Sequence, residues 1–166
     1  MHDHGYAAAR PFRKADVTTA YTQAQGLFFD AGGVYVPQDD SRLLMDVMGR
    51  TGLARGRRVV DLCTGGGAVA IEAAQQGATA VTAVDICRRA VRCARANALT
   101  AGVEVDVHMG SWARAVEFGP FDLAVCNPPY VPHDPNIDAH SAPPIGPARA
   151  WNCGYDGRLV LDPLCE

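Results

Sequence analysis

A short apolar run, Arg57-Arg58-Val59-Val60-Asp61-Leu62, gives way to Cys63-Thr64-Gly65-Gly66-Gly67 and then to the alanine-rich stretch Ala68 to Gln76. No other stretch constrains the fold as strongly. A bounded apolar run of this length reads as a strand buried on both faces. Glycines between such a strand and a helix let a ligand approach the backbone, beside the free N–H groups of the helix N-terminus. Gly77 supplies the stop of that helix.

The same alternation continues along the chain. Ala80 to Asp85 predicts a second strand, Arg88 to Leu99 another helix, Glu104 to His108 a third strand and Phe121 to Cys126 a fourth. Ahead of them, Asp39-Asp40-Ser41 offers N-cap side chains to a helix on which Leu43, Leu44, Val47 and Met48 share a face, and which stops between Gly49 and Gly52. Strands alternating with helices define an α/β protein with a Rossmann-like, doubly wound, mostly parallel sheet. Composition agrees: 48% hydrophobic and 20% charged residues among 166 describe one soluble globular domain and exclude disorder, collagen and coiled coil. Residues 1–33 have weak periodicity and form a lead-in, and residues 34–166 form the domain. Prolines crowd the stretch from Pro128 to Pro147, which must be loop.

A net charge of -3 argues against purely electrostatic binding to nucleic acid or to an anionic membrane. The N-terminus lacks the apolar segment of a signal peptide, so a cytoplasmic protein is expected. The six cysteines form no C-x-x-C pair and no zinc-ligand cluster, which fits reduced thiols. No metal is expected. His2 and His4 read as solvated, Phe28 and Phe29 as packing residues, and Cys126 as a small buried hydrophobe. The arginines 88, 89, 92 and 95 read as a solvated helix face, and His108, His133 and His140 have no role the chemistry needs.

Asp85 ends the second strand, where a carboxylate can accept both hydroxyls of a ribose lying across the sheet edge. The implied ligand is a nucleoside-containing cofactor, a dinucleotide or S-adenosylmethionine. Asp61, just before the loop, would repel a pyrophosphate but suits a sulfonium and an α-amino group, which favours S-adenosylmethionine over a nicotinamide cofactor. Asn127-Pro128-Pro129-Tyr130 follows the fourth strand and so lies on the same carboxyl edge. Its prolines fix φ and remove two N–H donors. Carbonyls are left as acceptors beside the Asn127 side-chain oxygen, a rigid pair suited to a planar NH₂ group, and Tyr130 adds a ring face.

These residues resemble the class I S-adenosylmethionine-dependent methyltransferases, and within them the HemK-type protein-glutamine methyltransferases that modify peptide-chain release factors. The resemblance runs from about Val34 to Asp162. Asp61-Leu62-Cys63-Thr64-Gly65-Gly66-Gly67 is similar to the family's D/E-x-G-x-G-x-G loop, with Cys63 in place of the first glycine. It implies that Asp85 holds the ribose, that Ser111 and Trp112 flank the adenine, and that Asn127-Pro128-Pro129-Tyr130 grips the glutamine amide. Val34 to Leu44 resembles the V-Y-x-P-x-x-D-T/S-x-L-L entry of one subgroup, which places Ser41 at a cofactor-contacting hydroxyl. Ala150 to Arg158 resembles that subgroup's A-W-x-G-G-x-x-G-R loop. The missing helical domain points to the shorter branch, and the family sheet continues beyond the strands supplied here, implying a domain incomplete at its C-terminus with an uncovered sheet edge. The expected activity is methyl transfer from S-adenosylmethionine to a glutamine amide of a protein such as a release factor. Two alternatives stay open: a nucleic-acid amino methyltransferase, and a remnant that binds cofactor or a partner subunit without catalysis.

Overall fold

The computed structural model of the protein describes residues 34–133 and 150–165; the expected lead-in, with His2, His4, Phe28 and Phe29, lies outside them, as does His140. Its elements are α1 (Asp39–Thr51), β1 (Arg58–Leu62), α2 (Ala68–Gln75), β2 (Ala80–Asp85), α3 (Arg88–Ala101), β3 (Asp106–Met109), a 3₁₀ turn (Trp112–Glu117), β4 (Leu123–Cys126) and the short α4 (Leu161–Cys165). The strands lie in the order β3-β2-β1-β4, and every neighbouring pair is parallel. Leu62 is level with Val84 on one side and with Cys126 on the other. The chain moves outward through β2 and β3, then returns across β1 to β4. The sheet therefore has a switch point beside β1, the place where open α/β sheets bind ligands.

The strands are short, valine-rich and buried, as a parallel sheet requires. Val59, Val81, Ala83, Val107 and Val125 pack with α1, α2 and α3 in one core. Alternate residues Val60 and Val84 meet Ala115 of the 3₁₀ turn and Phe121 on the other face. Alanine lets α2 lie close to the sheet: Ala70 and Ala73 are fully buried. No helix among the described residues is long and apolar enough to cross a membrane.

Three local expectations change. The buried stripe of α1 consists of Ser41, Met45 and Met48 with Leu44 packed alongside, while Leu43 and Val47 are exposed. Positions 41, 44, 45 and 48 share the i, i+3, i+4, i+7 spacing, and serine hid the first of them from a count of apolar residues. The helix also starts earlier than expected. Gln38 is its N-cap without a side-chain bond, and both aspartates sit in the first turn. β3 begins two residues later than expected because α3 runs on to Ala101 and ends on the left-handed Gly102 (φ +68°).

Candidate active site

All four loops that carry candidate residues leave the carboxyl edge of the sheet. The glycine loop follows β1, Asp85 closes β2, Ser111 and Trp112 follow β3, and Asn127 follows β4. Each is held differently.

Backbone contacts build the glycine loop. Thr64 N donates to the Val84 carbonyl at 3.1 Å and Gly67 N to the Thr64 carbonyl at 2.9 Å. Asp85 accepts from Gly65 N and Cys87 N, both at 2.8 Å, one on each carboxylate oxygen. From α3, the fully buried Asn97 donates to the Gly66 carbonyl at 2.8 Å. Gly67 has φ +85°, and a Cβ there would lie 3.0 Å from the Ala94 Cβ, so only glycine allows this approach of α2 to α3. At Gly65 (φ +55°) the corresponding space is open. Cys63 holds φ +59°, a left-handed conformation that costs a side-chain-bearing residue about 1–2 kcal/mol. Cys63 and Cys126 are both free thiols, and hydrogen bonding to Cys63, with burial, pushes the Cys126 thiol up.

Asp61 stands beneath the loop. It is 1% exposed, and its Oδ2 accepts from Thr64 Oγ1 at 2.6 Å and from Ala70 N at 3.2 Å. Burial pushes its carboxyl up to about 7, against the pull of those two hydrogen bonds and with a further push from the Asp85 charge. At the open side of the loop it is Asp85 that stands. Gly110 N ties β3 to the Asp85 carbonyl at 3.0 Å, setting Ser111 and the half-buried Trp112 beside β2.

Side chains build the other end of the site. Asn127 Nδ2 donates to Asp40 Oδ2 at 3.1 Å and to Ser41 Oγ at 2.9 Å. The Tyr130 hydroxyl donates to Asp40 at 2.9 Å, the Tyr35 hydroxyl to both Asp40 oxygens at 3.2 Å, and Ser41 N to Asp40 Oδ1 at 2.6 Å. Burial pushes the Asp40 carboxyl up, but the bonds from Asn127, Ser41 N, Tyr130 and Tyr35 outweigh it and hold the group below its ordinary value. Burial and Asp40 push both tyrosines up, so they stay protonated donors. A cavity of about 250 Å³ opens here, lined by Tyr35, Gln38, Asp40, Asn127, Pro128, Tyr130 and Trp151 among others. No backbone N–H of the described residues donates to the Pro128 carbonyl. Gln38 Nε2 and Trp151 Nε1 are buried donors without a partner among the described residues.

The segment after the proline-rich stretch closes over this end. Val131 N donates to the Trp151 carbonyl and Cys153 N to the Val131 carbonyl, both at 2.9 Å. Gly157 has φ +75°, and a Cβ there would lie 2.4 Å from the Tyr130 carbonyl oxygen.

Hydrogen bonds thus join Asp61 with Thr64 and Gly65 with Asp85 at one end, and Ser41, Asn127 and Tyr130 with Asp40 at the other; Tyr35 also bonds Asp40, and neither Tyr35 nor Asp40 was among the expected site residues. No local signal separates Asp40 from an aspartate that serves only its own helix start, since it also accepts from Ser41 N. His108 lies elsewhere, stacked on Phe118 at 3.8 Å between ring centroids. Among the described residues no cluster of three or more His, Cys, Asp or Glu could hold a metal.

A parallel sheet with its switch point beside a glycine loop, and an acid closing the next strand, defines a Rossmann-like fold of the class I methyltransferase kind. The chain belongs to the methyltransferase small domain family, whose profile matches residues 28–141. It is similar to a release factor glutamine methyltransferase of Mycolicibacterium smegmatis, 37% identical over 136 residues, which are 80% of this chain and 48% of that protein. Among solved structures it is similar to a ribosomal-protein methylase from Lactobacillus delbrueckii subsp. bulgaricus, at 26% identity and TM-score 0.51, over 66% of this chain and 58% of the other. A 16S rRNA N2 methyltransferase of T. thermophilus in complex with AdoMet and guanosine matches at 28% identity and TM-score 0.52, over 58% of this chain and 27% of that one. The chain spans about half the length of the curated relatives it matches.

Proposed function

We propose that this chain is an S-adenosylmethionine-dependent methyltransferase that acts on the side-chain amide of a protein glutamine, in a substrate such as a peptide-chain release factor. One juxtaposition carries the reading. The cofactor-type glycine loop with Asp85 and the Asn127-Pro128 acceptors leave adjacent strands at one sheet edge, and a cavity of about 250 Å³ opens at the second of them.

The residues present fit the cofactor. The space in front of Gly65 is open, the N-terminus of α2 follows at once, and Asp85, tied to the loop through Gly65 N, closes the neighbouring strand where a carboxylate suits a ribose. Thr64, Gly65, Gly66, Gly67, Asp85, Ser111 and Trp112 would hold it, with Cys63, Asp61 and Ser41 behind them. When bound, it supplies an electrophilic methyl group on a sulfonium.

The chain's own residues position the acceptor. Asn127 Oδ1 and the Pro128 carbonyl take the two hydrogens of the amide NH₂, which leaves its nitrogen lone pair turned toward the donor. The prolines keep these acceptors rigid, and Tyr130 packs beside them. The buried donors of Gln38 and Trp151 suit the carbonyl that accompanies an amide NH₂. No strong base is required, because the proton can leave after the methyl arrives; orientation and exclusion of water lower the barrier.

Asn127→Ala tests this. Methylation of a glutamine-bearing release-factor peptide should fall about 10³-fold, with calorimetric affinity for S-adenosylhomocysteine within about twofold of wild type. Loss of both would overturn the division of roles. Transfer to an adenine- or guanine-bearing oligonucleotide in place of the peptide would overturn the acceptor assignment.

A further inference from the structure

Asn127 serves this chemistry only if its oxygen, and not its nitrogen, faces the acceptor cavity. An asparagine amide is nearly symmetrical in shape, so the fold must choose between two orientations related by a flip. The hydrogen bonds around Asp40 make that choice.

An ionised carboxylate can only accept. The Asn127 atom 3.1 Å from Asp40 Oδ2 must therefore be the NH₂ nitrogen, since an oxygen there would set acceptor against acceptor. The second Asn127 hydrogen goes to Ser41 Oγ at 2.9 Å. That oxygen is free to accept because the Ser41 hydroxyl turns its own hydrogen to Asp40 Oδ1, at 3.4 Å. Tyr35 and Tyr130 also donate to Asp40. Every hydrogen in the cluster runs toward one carboxylate, so it has a single consistent proton arrangement. In that arrangement both N–H bonds of Asn127 are occupied and only Oδ1 is left to meet a ligand.

We infer that Asp40 is a positioning residue: resting on the amide-methyltransferase reading, it fixes the flip of Asn127 so that an acceptor faces the substrate NH₂. It touches neither cofactor nor substrate nitrogen in this role. A neutral amide at position 40 would offer an NH₂ to Asn127 as readily as an oxygen. Asn127 could then turn its own NH₂ to the substrate, donor against donor.

The test uses the full chain and two readouts. In a proton–nitrogen correlation spectrum, both Asn127 side-chain hydrogens should be shifted and slow to exchange, and Asp40→Asn should release at least one of them. On the release-factor peptide, Asp40→Asn should lower kcat about 100-fold with S-adenosylhomocysteine affinity unchanged, and should add nothing to Asn127→Ala. Unprotected Asn127 hydrogens in the wild type, wild-type kcat in Asp40→Asn, or losses that multiply in the double variant would each overturn the inference. Should the wild type leave the peptide unmethylated while the spectrum behaves as expected, the amide-acceptor reading fails and the positioning of Asn127 stands.

Discussion

The two ends of this site are built from different materials. The proposed cofactor end is made of backbone: glycines, helix N–H groups and carbonyls, tied by Asp61, Asp85 and Asn97 from below and beside. The acceptor end is made of side chains that meet across the fold, since Asn127 and Tyr130 reach back to residues 40 and 41 at the start of α1. A backbone cradle tolerates many ligands of one shape. A side-chain network selects by donor and acceptor, and a single atom can reverse its preference.

Glycine substitutions should break the two ends separately, and with the largest effects. Gly157→Ala drives a methyl into the Tyr130 carbonyl at a positive φ, and Gly67→Ala drives one into Ala94 at another. Each should cost about 3 kcal/mol in denaturant unfolding. In the fraction that stays folded, Gly157→Ala should impair peptide turnover with cofactor affinity retained, and Gly67→Ala should lose both. Equal loss of cofactor affinity in the two variants would mean that the ends are not separable.

Asp61 gives a smaller and pH-dependent contrast. Its carboxyl ionises near 7 in the folded chain against an ordinary 3.8, so the folded state prefers the protonated form. Its contribution to stability is therefore full below about pH 4 and is lost as pH rises through about 7. Asp61→Asn keeps an oxygen for Thr64 and Ala70 and should flatten that part of the pH–stability curve. Thermal melts between pH 5 and 8 check it: a slope as steep as wild type would show that the buried acid is not the cause. No comparable effect is expected from the acceptor end, where Asp40 is held below its ordinary value.

The smallest effect should be favourable. Cys63→Gly removes a side chain from a left-handed residue and should stabilise the chain by about 1 kcal/mol, offset in part by the added freedom of the unfolded state. An unchanged denaturation midpoint would show that the Cys63–Cys126 contact compensates for the strain.

The same contrast governs what could be read from the sequence. Strand, glycine loop and helix are contiguous, so their chemistry is visible in a short window, and Asp85 and Asn127 follow from counting strands. The α/β class and the parallel sheet were legible for that reason. Asp40 was not, because nothing local distinguishes an aspartate that caps its own helix from one turned toward a motif on another strand. The buried stripe of α1 was half legible, since Ser41 looks polar until Asn127 occupies its hydroxyl.

In the sheet β1 lies between β2 and β4, the strands that end in Asp85 and lead into Asn127. Parallel strands repeat at about 4.8 Å, so the sheet acts as a graduated ruler. Asp85, the glycine loop and Asn127 stand at three consecutive marks on it. The distance between the proposed cofactor and acceptor residues is thereby referred to the spacing of backbone hydrogen bonds, a length that surface mutation cannot stretch.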